Sequence, residues 1–371
     1  MGTVDEINGV ALSSIGEING VAKSSIDDFN GQDCGSEVSS RWVVGSSSGK
    51  IFSTSTANAS AGWVLLVDLG SNAYKDIAIG KDAGANKRWV LHASNNTNEL
   101  AYINDSADMG TAGNWSEVNF DPNHKSVGTG GPAVAWGNNV WVLGGTTQAR
   151  DDGGTTYYDG PHRSTNGAAA WTKIDVNNTI NDSIKVMCWK GSGDIWLMGI
   201  QSHIWKSTDN GASWSDLGAI EGTKDIRCLA YDGNSRWVAG LDSDNVYYSD
   251  DDGSNWTEVT NGAWAGTWAP NGIVYAKGSI NKWVMCGANG RLAHSSDGVS
   301  WTSIWEGDDG TWSTTHCNSI ATDHHSLVLV GDSGKLAQST NGTSFTVRAI
   351  DGDPTESLHC VSSNVIGAGM Y

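Results

Sequence analysis

Proline is scarce in this chain, 5 residues in 371, and cations are outnumbered: 22 Lys and Arg face 41 Asp and Glu, a net charge of −19. The shortage of cations, with no Lys/Arg cluster, argues against a nucleic-acid partner, whose phosphates must be neutralised. No apolar run approaches the ~20 residues that a membrane-spanning helix needs. The start, Met1-Gly-Thr-Val-Asp-Glu6, lacks the basic residues and apolar stretch of a secretory signal, so neither membrane insertion nor export is expected. Cysteine is sparse as well, six residues at 34, 188, 228, 286, 317 and 360, with no C-x-x-C pair and no zinc-finger spacing. Four of them sit in similar contexts, Met187-Cys188-Trp189, Arg227-Cys228-Leu229, His316-Cys317-Asn318 and His359-Cys360-Val361. That recurrence predicts small buried residues in equivalent strands, kept as reduced thiols, and no metal or cofactor is expected. Few prolines beside 48 glycines exclude a collagen. What the chain has in abundance is tryptophan, 19 residues, which demands a packed fold.

Much of that tryptophan recurs in one phrase, W-V-x-G or close to it. Copies are Arg41-Trp-Val-Val-Gly45, Arg88-Trp-Val-Leu91, Val140-Trp-Val-Leu-Gly144, Ile195-Trp-Leu-Met-Gly199, Arg236-Trp-Val-Ala-Gly240, Lys282-Trp-Val-Met-Cys-Gly287 and Ser326-Leu-Val-Leu-Val-Gly331. The lead positions 42, 89, 141, 196, 237, 283 and 327 lie 41 to 55 residues apart. That is the period of one four-stranded propeller blade, roughly 40–50 residues.

A second phrase follows the later copies. Ser207-Thr-Asp-Asn-Gly-Ala-Ser-Trp214 and Ser249-Asp-Asp-Asp-Gly-Ser-Asn-Trp256 fit S-x-D-x-G-x-x-W in full. Segments 164–171, 295–301 and 339–345 are looser versions, and Trp63 and Trp115 hold the matching place in the first two copies. Asp bonding back to backbone N–H groups and Gly supplying φ > 0 predict a tight strand-to-strand turn, closed by a Trp wedged between sheets. These residues resemble the Asp-box, or BNR repeat, of sialidase-like propellers. The expectation is an all-β, seven-bladed β-propeller over 34–371, with helix nearly absent. Residues 357–371 read as two strands of a further blade that pairs with the N-terminal one and closes the ring.

Residues 1–33 differ. Ile7, Ile18 and Phe29, each followed by Asn-Gly, repeat at a spacing of 11. Asn-Gly between short apolar runs signals a hairpin. Such short copies bury little alone, so the segment is expected to be an assembly arm that pairs strands on another surface or trimerises. Its contact residues would be Ile7, Val10, Ile15, Ile18, Val21, Ile26 and Phe29. Repeated I-N-G-V-A phrases resemble those in structural proteins of tailed bacteriophages, marine ones in particular. The resemblance implies a tail or capsid appendage in the virion, bound to other virion proteins through 1–33.

Catalytic sets are missing from the reading. The sialidase resemblance implies three carboxylate-gripping Arg, a Tyr/Glu pair, an Asp acid and an F/Y-R-I-P phrase. That phrase is absent, and Arg41, Arg88 and Arg236 precede repeat Trp residues, where a structural role is expected. A glycosidase needs two acids across the bond, but Asp151-Asp152, Asp250-Asp251-Asp252 and Asp308-Asp309 have no distinguishing context. His324, His325 and His359 have no nucleophile at useful spacing and read as solvent-facing. The propeller factor of photosystem II assembly shares the boxes but brings an export signal and a basic face, and this chain shows neither.

Binding is expected on the inter-blade loops. Gly262-Ala-Trp-Ala-Gly-Thr-Trp-Ala-Pro270 and Trp305-Glu-Gly-Asp-Asp-Gly-Thr-Trp312 belong to adjacent junctions, and the insertion 146–162 should emerge beside them. Trp264, Trp268, Trp305 and Trp312 with Asp308 and Asp309 suit stacking on a host-surface sugar. The same Trp residues also suit a wedge between blades. The reading is therefore a non-enzymatic virion protein, with a lectin or a glycoside hydrolase of the Asp-box type as the alternative.

Overall fold

In a computed structural model, seven four-stranded antiparallel sheets succeed one another round a ring. The structure describes residues 41–364 except 55–61, 71, 83, 85, 94–99, 119–126, 148–149, 152–155, 158–159, 169, 175, 177–183, 243–244, 261–268, 306–311, 313–314 and 353; within 1–40 it describes only short strand pairs. The innermost strands are Leu358–Ser363 in blade 1, then Tyr74–Lys81, Val127–Gly137, Ile184–Trp189, Ile226–Tyr231, Pro270–Ala276 and Cys317–Thr322 in blades 2 to 7. Each touches the innermost strands of both neighbours, so the circle is complete. Among the described residues the helical elements are single 3-10 turns, Ala112–Asn114 and Ala288–Gly290.

The W-V-x-G phrase is the second strand of every blade, Trp42–Ser46, Trp196–Ile200 and Trp237–Leu241 among them, buried at every position. A sheet stacked between two others has no solvent face, so its central strands carry apolar residues without alternation. Trp42, Trp89, Trp141, Trp196, Trp237 and Trp283 are each at most 1% exposed. The phrase's glycine has a packing role. A Cβ on Gly240 would lie 2.6 Å from Pro270 Cγ, and one on Gly199 2.9 Å from Ile226 Cβ, so the next blade's innermost strand starts against bare backbone.

The serine phrase joins the third strand to the outer one. Ser207 Oγ accepts from Gly211 N at 2.9 Å while Asp209 Oδ1 accepts from Ser213 N at 2.8 Å. Ser249 with Asp251 and Ser295 with Asp297 repeat the pattern, and Asn341 serves in Asp's place beside Ser339. Gly211, Gly253 and Gly298 have φ of +77°, +80° and +74°, which a side chain would strain. Trp256 and Trp301 close their turns by donating Nε1–H to the carbonyls of Gly253 and Gly298.

The ring closes through the C-terminal segment, as expected for its first strand: Leu358–Ser363 pairs with Trp42–Ser46, and 365–371, where the second expected strand falls, lie outside the described residues. Cys188, Cys228, Cys317 and Cys360 sit in innermost strands, whereas Cys286 lies in a second strand. All five are buried free thiols, and burial pushes that of Cys228 up to about 12. In the arm, Glu6–Ile7 pairs with Val10–Ala11, Glu17–Ile18 with Val21–Ala22, and Asp28–Phe29 with Gln32–Asp33. Each pair brackets an Asn-Gly, as the spacing predicts. Side chains of the arm, including those of Ile7, Val10, Ile15, Ile18, Val21, Ile26 and Phe29, lie outside the described residues.

Candidate functional site

Each innermost strand starts where the chain arrives from the preceding blade, so its first residues lie on the face of the inter-blade loops. The serine turns lie on the opposite face. Near that start, six blades carry the same irregularity. Tyr74 pairs with Ala93 and Asp76 with His92, leaving Lys75 out of step. The same slip leaves Lys185, Arg227, Asn271, Asn318 and His359 unmatched in blades 4, 5, 6, 7 and 1. A bulge turns the extra residue away from the ladder and sharpens the local twist. In blade 3 the slip is longer, between Gly128 and Ala133.

All six bulged residues line one axial cavity of about 180 Å³. They form a polar collar of three cations, one imidazole and two amides, in a chain whose net charge is −19. Beneath it the wall turns aliphatic: Ile77, Val134, Met187, Leu229, Ile273, Ile320 and Val361 come one from each blade. They are 1–6% exposed.

The collar is also a girdle, because its side chains reach across blade boundaries. Asn271 Nδ2 donates to Cys317 O at 2.9 Å, and Asn318 Nδ2 to Leu358 O at 2.9 Å and to Asp332 Oδ1 at 2.9 Å. His359 Nε2 lies 2.7 Å from Lys75 Nζ, joining the last strand to blade 2. Asp76 accepts from Val134 N at 2.7 Å, joining blade 2 to blade 3. Lys185 pairs with Asp225, which leads into blade 5, and Arg227 pairs with Asp242.

This setting shifts three of the groups. Burial, and then the Lys75 ammonium, press the His359 imidazole down to about 4. Burial also lowers Lys75. Desolvation raises the Asp76 carboxyl to about 7, against two backbone N–H groups that favour its charged form. The neutral imidazole thus accepts from the ammonium.

A pH dependence follows. Between about 4 and the unfolded value of 6.5, the unfolded chain binds the His359 proton and the folded chain does not, so stability falls as pH drops through that window. Asp76 acts the other way: its contribution is full below its unfolded value and is lost as pH rises through about 7. Comparing the parent with His359→Gln isolates the imidazole. Relative to the parent, the variant should gain about 1–2 kcal/mol between pH 6.5 and 4, allowing for solvent at the collar. Parallel stability curves in urea across that range would refute this.

The residues expected to bind meet a different fate. Trp312 is 1% exposed, packed with Cys286, Leu292, Cys317 and Leu329 between blades 6 and 7. Its ring fills the space a side chain on Gly331 would need, 2.7 Å from that Cβ position. It is a wedge, and no sugar can stack on it. Trp305 ends the outer strand of blade 6, its side chain outside the described residues, and Trp264, Trp268, Asp308 and Asp309 lie outside them entirely. His359 faces the axis, not open solvent. Arg236 is structural, as expected: it forks onto Asp250 at 2.6 and 2.7 Å, bonds Asp297 O at 2.6 Å and covers the Tyr248 ring. Asp252 is more than a solvated flank, since it holds Lys190 at 2.7 Å and Trp237 Nε1 at 3.3 Å.

Sequence reasoning passed over the collar. A signal was present: Lys75, Lys185, Arg227, Asn271 and Asn318 each stand nine to fourteen residues before the lead position of the next second strand, with an apolar residue two places on.

No protein-family model matches this chain, and no curated protein matches its sequence. Solved structures match its shape. A YCF48 protein bound to D1 peptide is 14% identical, over 76% of this chain and 83% of that one, with a TM-score of 0.54. The GH74 xyloglucanase from Xanthomonas campestris is 15% identical with a TM-score of 0.58, over 88% of this chain and 53% of that one. A GH74 enzyme of Niastella koreensis gives 15% and 0.54. This chain spans about half the length of either GH74 enzyme. At these identities the likeness shows the fold, and the chain is a seven-bladed β-propeller with structural neighbours of the YCF48 and GH74 kind.

Proposed function

We propose that this protein is a non-enzymatic structural component of a bacteriophage virion, a tail or capsid appendage fixed through residues 1–33. The observation that carries the reading is the arm: hairpins of two residues per strand, repeated at a spacing of 11. Isolated hairpins are marginal in water even when longer, so a repeated series of minimal ones makes sense as strands completed by a partner or by other copies of the arm. The attachment geometry suits this. Arg41 N donates to Asn364 Oδ1, and Asn364 N to Arg41 O, both at 2.8 Å, at the far end of the Leu358–Ser363 strand from its bulge. Arg41, where the described propeller begins, thus lies at the serine-turn face, and attachment from that side would leave the collar and inter-blade loops outward, where a host-surface glycan would be met.

The acids nearest the axis support a binding role over hydrolysis. Asp76, which lines the cavity, accepts from the Ile77 and Val134 N–H groups, Asp225 and Asp242 are tied to cations, and Asp332 holds an amide. The GH74 likeness favours the alternative, a glycoside hydrolase or lectin. Light scattering on residues 1–371 and 41–371 tests the first reading. The full chain should assemble into trimers or larger species while the shorter one stays a monomer. Equal monomers, with turnover of xyloglucan or another polysaccharide, would overturn it in favour of the hydrolase.

A further inference from the structure

The geometry points to the axial cavity as a binding site for a small amphiphilic carboxylate, its head at Lys75 and its aliphatic body against the ring below. The inference goes beyond the tethering role and is independent of what the arm attaches to. Three observations carry it.

The collar's cations are not equivalent. Lys185 and Arg227 each hold a carboxylate of their own, Asp225 and Asp242. Lys75 Nζ contacts the His359 imidazole, and among the described residues it is in ion-pair contact with no carboxylate. One positive charge at the rim is therefore balanced by no anion in contact with it, and a bound anion would supply one.

The head group is a monoanion. The Nδ2 groups of Asn271 and Asn318 are committed to Cys317 O, Leu358 O and Asp332. A phosphate dianion would find one unpaired cation and few free donors, whereas a carboxylate needs little more than Lys75.

The body is apolar and short. Each blade lends the wall below Lys75 an aliphatic side chain, Met187, Leu229 and Ile320 among them, while Asp76, Ser319 and Ser362 also line it, the Asp76 carboxyl bonded to the Ile77 and Val134 N–H groups. At about 180 Å³ the cavity is smaller than the ~300 Å³ or more of a drug-sized pocket, so an aliphatic chain of up to about eight carbons fits and an oligosaccharide does not.

Titration calorimetry of residues 1–371 with sodium octanoate tests this, with octanamide and octylammonium as head-group controls. Octanoate should bind at a single site, octanamide about tenfold more weakly or worse, and octylammonium not at all. Lys75→Met should cost about tenfold for octanoate alone, and Lys75→Arg should largely restore it. Met187→Phe, which fills the aliphatic ring, should abolish binding with the fold intact by circular dichroism. Equal affinity for octanoate and octanamide, octanoate binding unchanged in Lys75→Met, or no octanoate heat at millimolar concentration would each overturn the proposal. The head-group comparison uses the unaltered protein, so it decides even if Lys75→Met fails to fold.

Discussion

Ending the chain at Ser357 is expected to leave no stable monomeric propeller. The lost segment includes Leu358–Ser363, which forms the inner edge of blade 1 and touches the innermost strands of blades 2 and 7. Leu358, Cys360 and Val361 are 0%, 1% and 5% exposed. Burial of such side chains contributes roughly 1.5–3 kcal/mol each for the larger ones. The ladder to Trp42–Ser46 and the girdle bonds at Leu358 O and His359 go as well. The sum is comparable to the whole stability of an ordinary domain, about 5–15 kcal/mol. The strand Trp42–Ser46, now fully buried, would become a bare apolar edge, a template for aggregation. Size-exclusion chromatography and a melting curve check this. A soluble monomer melting within a few degrees of the parent would show that closure matters little. Adding a peptide of residues 358–371 should restore the monomer, because the missing strand can pair from outside.

Trp237→Ala should be the most damaging single substitution of an ordinary side chain tried in blade 5. Trp237 is 0% exposed, its ring centroid 4.7 Å from that of Tyr231, and its Nε1–H donates to Asp252 Oδ1. Truncation removes the buried ring, leaves a cavity between stacked sheets that cannot collapse freely, and takes a donor from Asp252. Losses of this kind cost about 3–5 kcal/mol. Leu217, 39% exposed on an outer strand, is the control, and its change to Ala should stay within about 0.5 kcal/mol. Urea unfolding measures both. A cost for Trp237→Ala close to that of the control would mean that the repeated Trp is not what holds the sheets together.

The architecture was legible because its two repeated phrases are chemically singular. A Trp leading an apolar run must be buried on both faces. A Ser-x-Asp-x-Gly series has few conformations in which Ser Oγ and Asp Oδ1 can both accept backbone N–H groups. The collar had no such word. Its members are Lys, Lys, Arg, Asn, Asn and His, alike in strand register and in a loose spacing from the next second strand but not in residue type. His359 read as solvent-facing because Lys75, the group that defines it, stands 284 positions earlier. Trp312 suited both ligand stacking and a wedge between blades, because a Trp in a Gly- and Asp-rich loop carries no mark of the Gly331 backbone against which it packs.

The reciprocal bonds between Arg41 and Asn364 have a mechanical consequence. Any pull transmitted along the arm enters the propeller at the start of Trp42–Ser46. That strand is flanked on both sides, by Leu358–Ser363 and by Lys50–Thr54. Force along its length loads both ladders in shear, so their hydrogen bonds must fail together and cannot be peeled one at a time. A tether at the other terminus would draw on Leu358–Ser363, which has a ladder on one side only. A tether through residues 1–33 would load the stronger of the two ends.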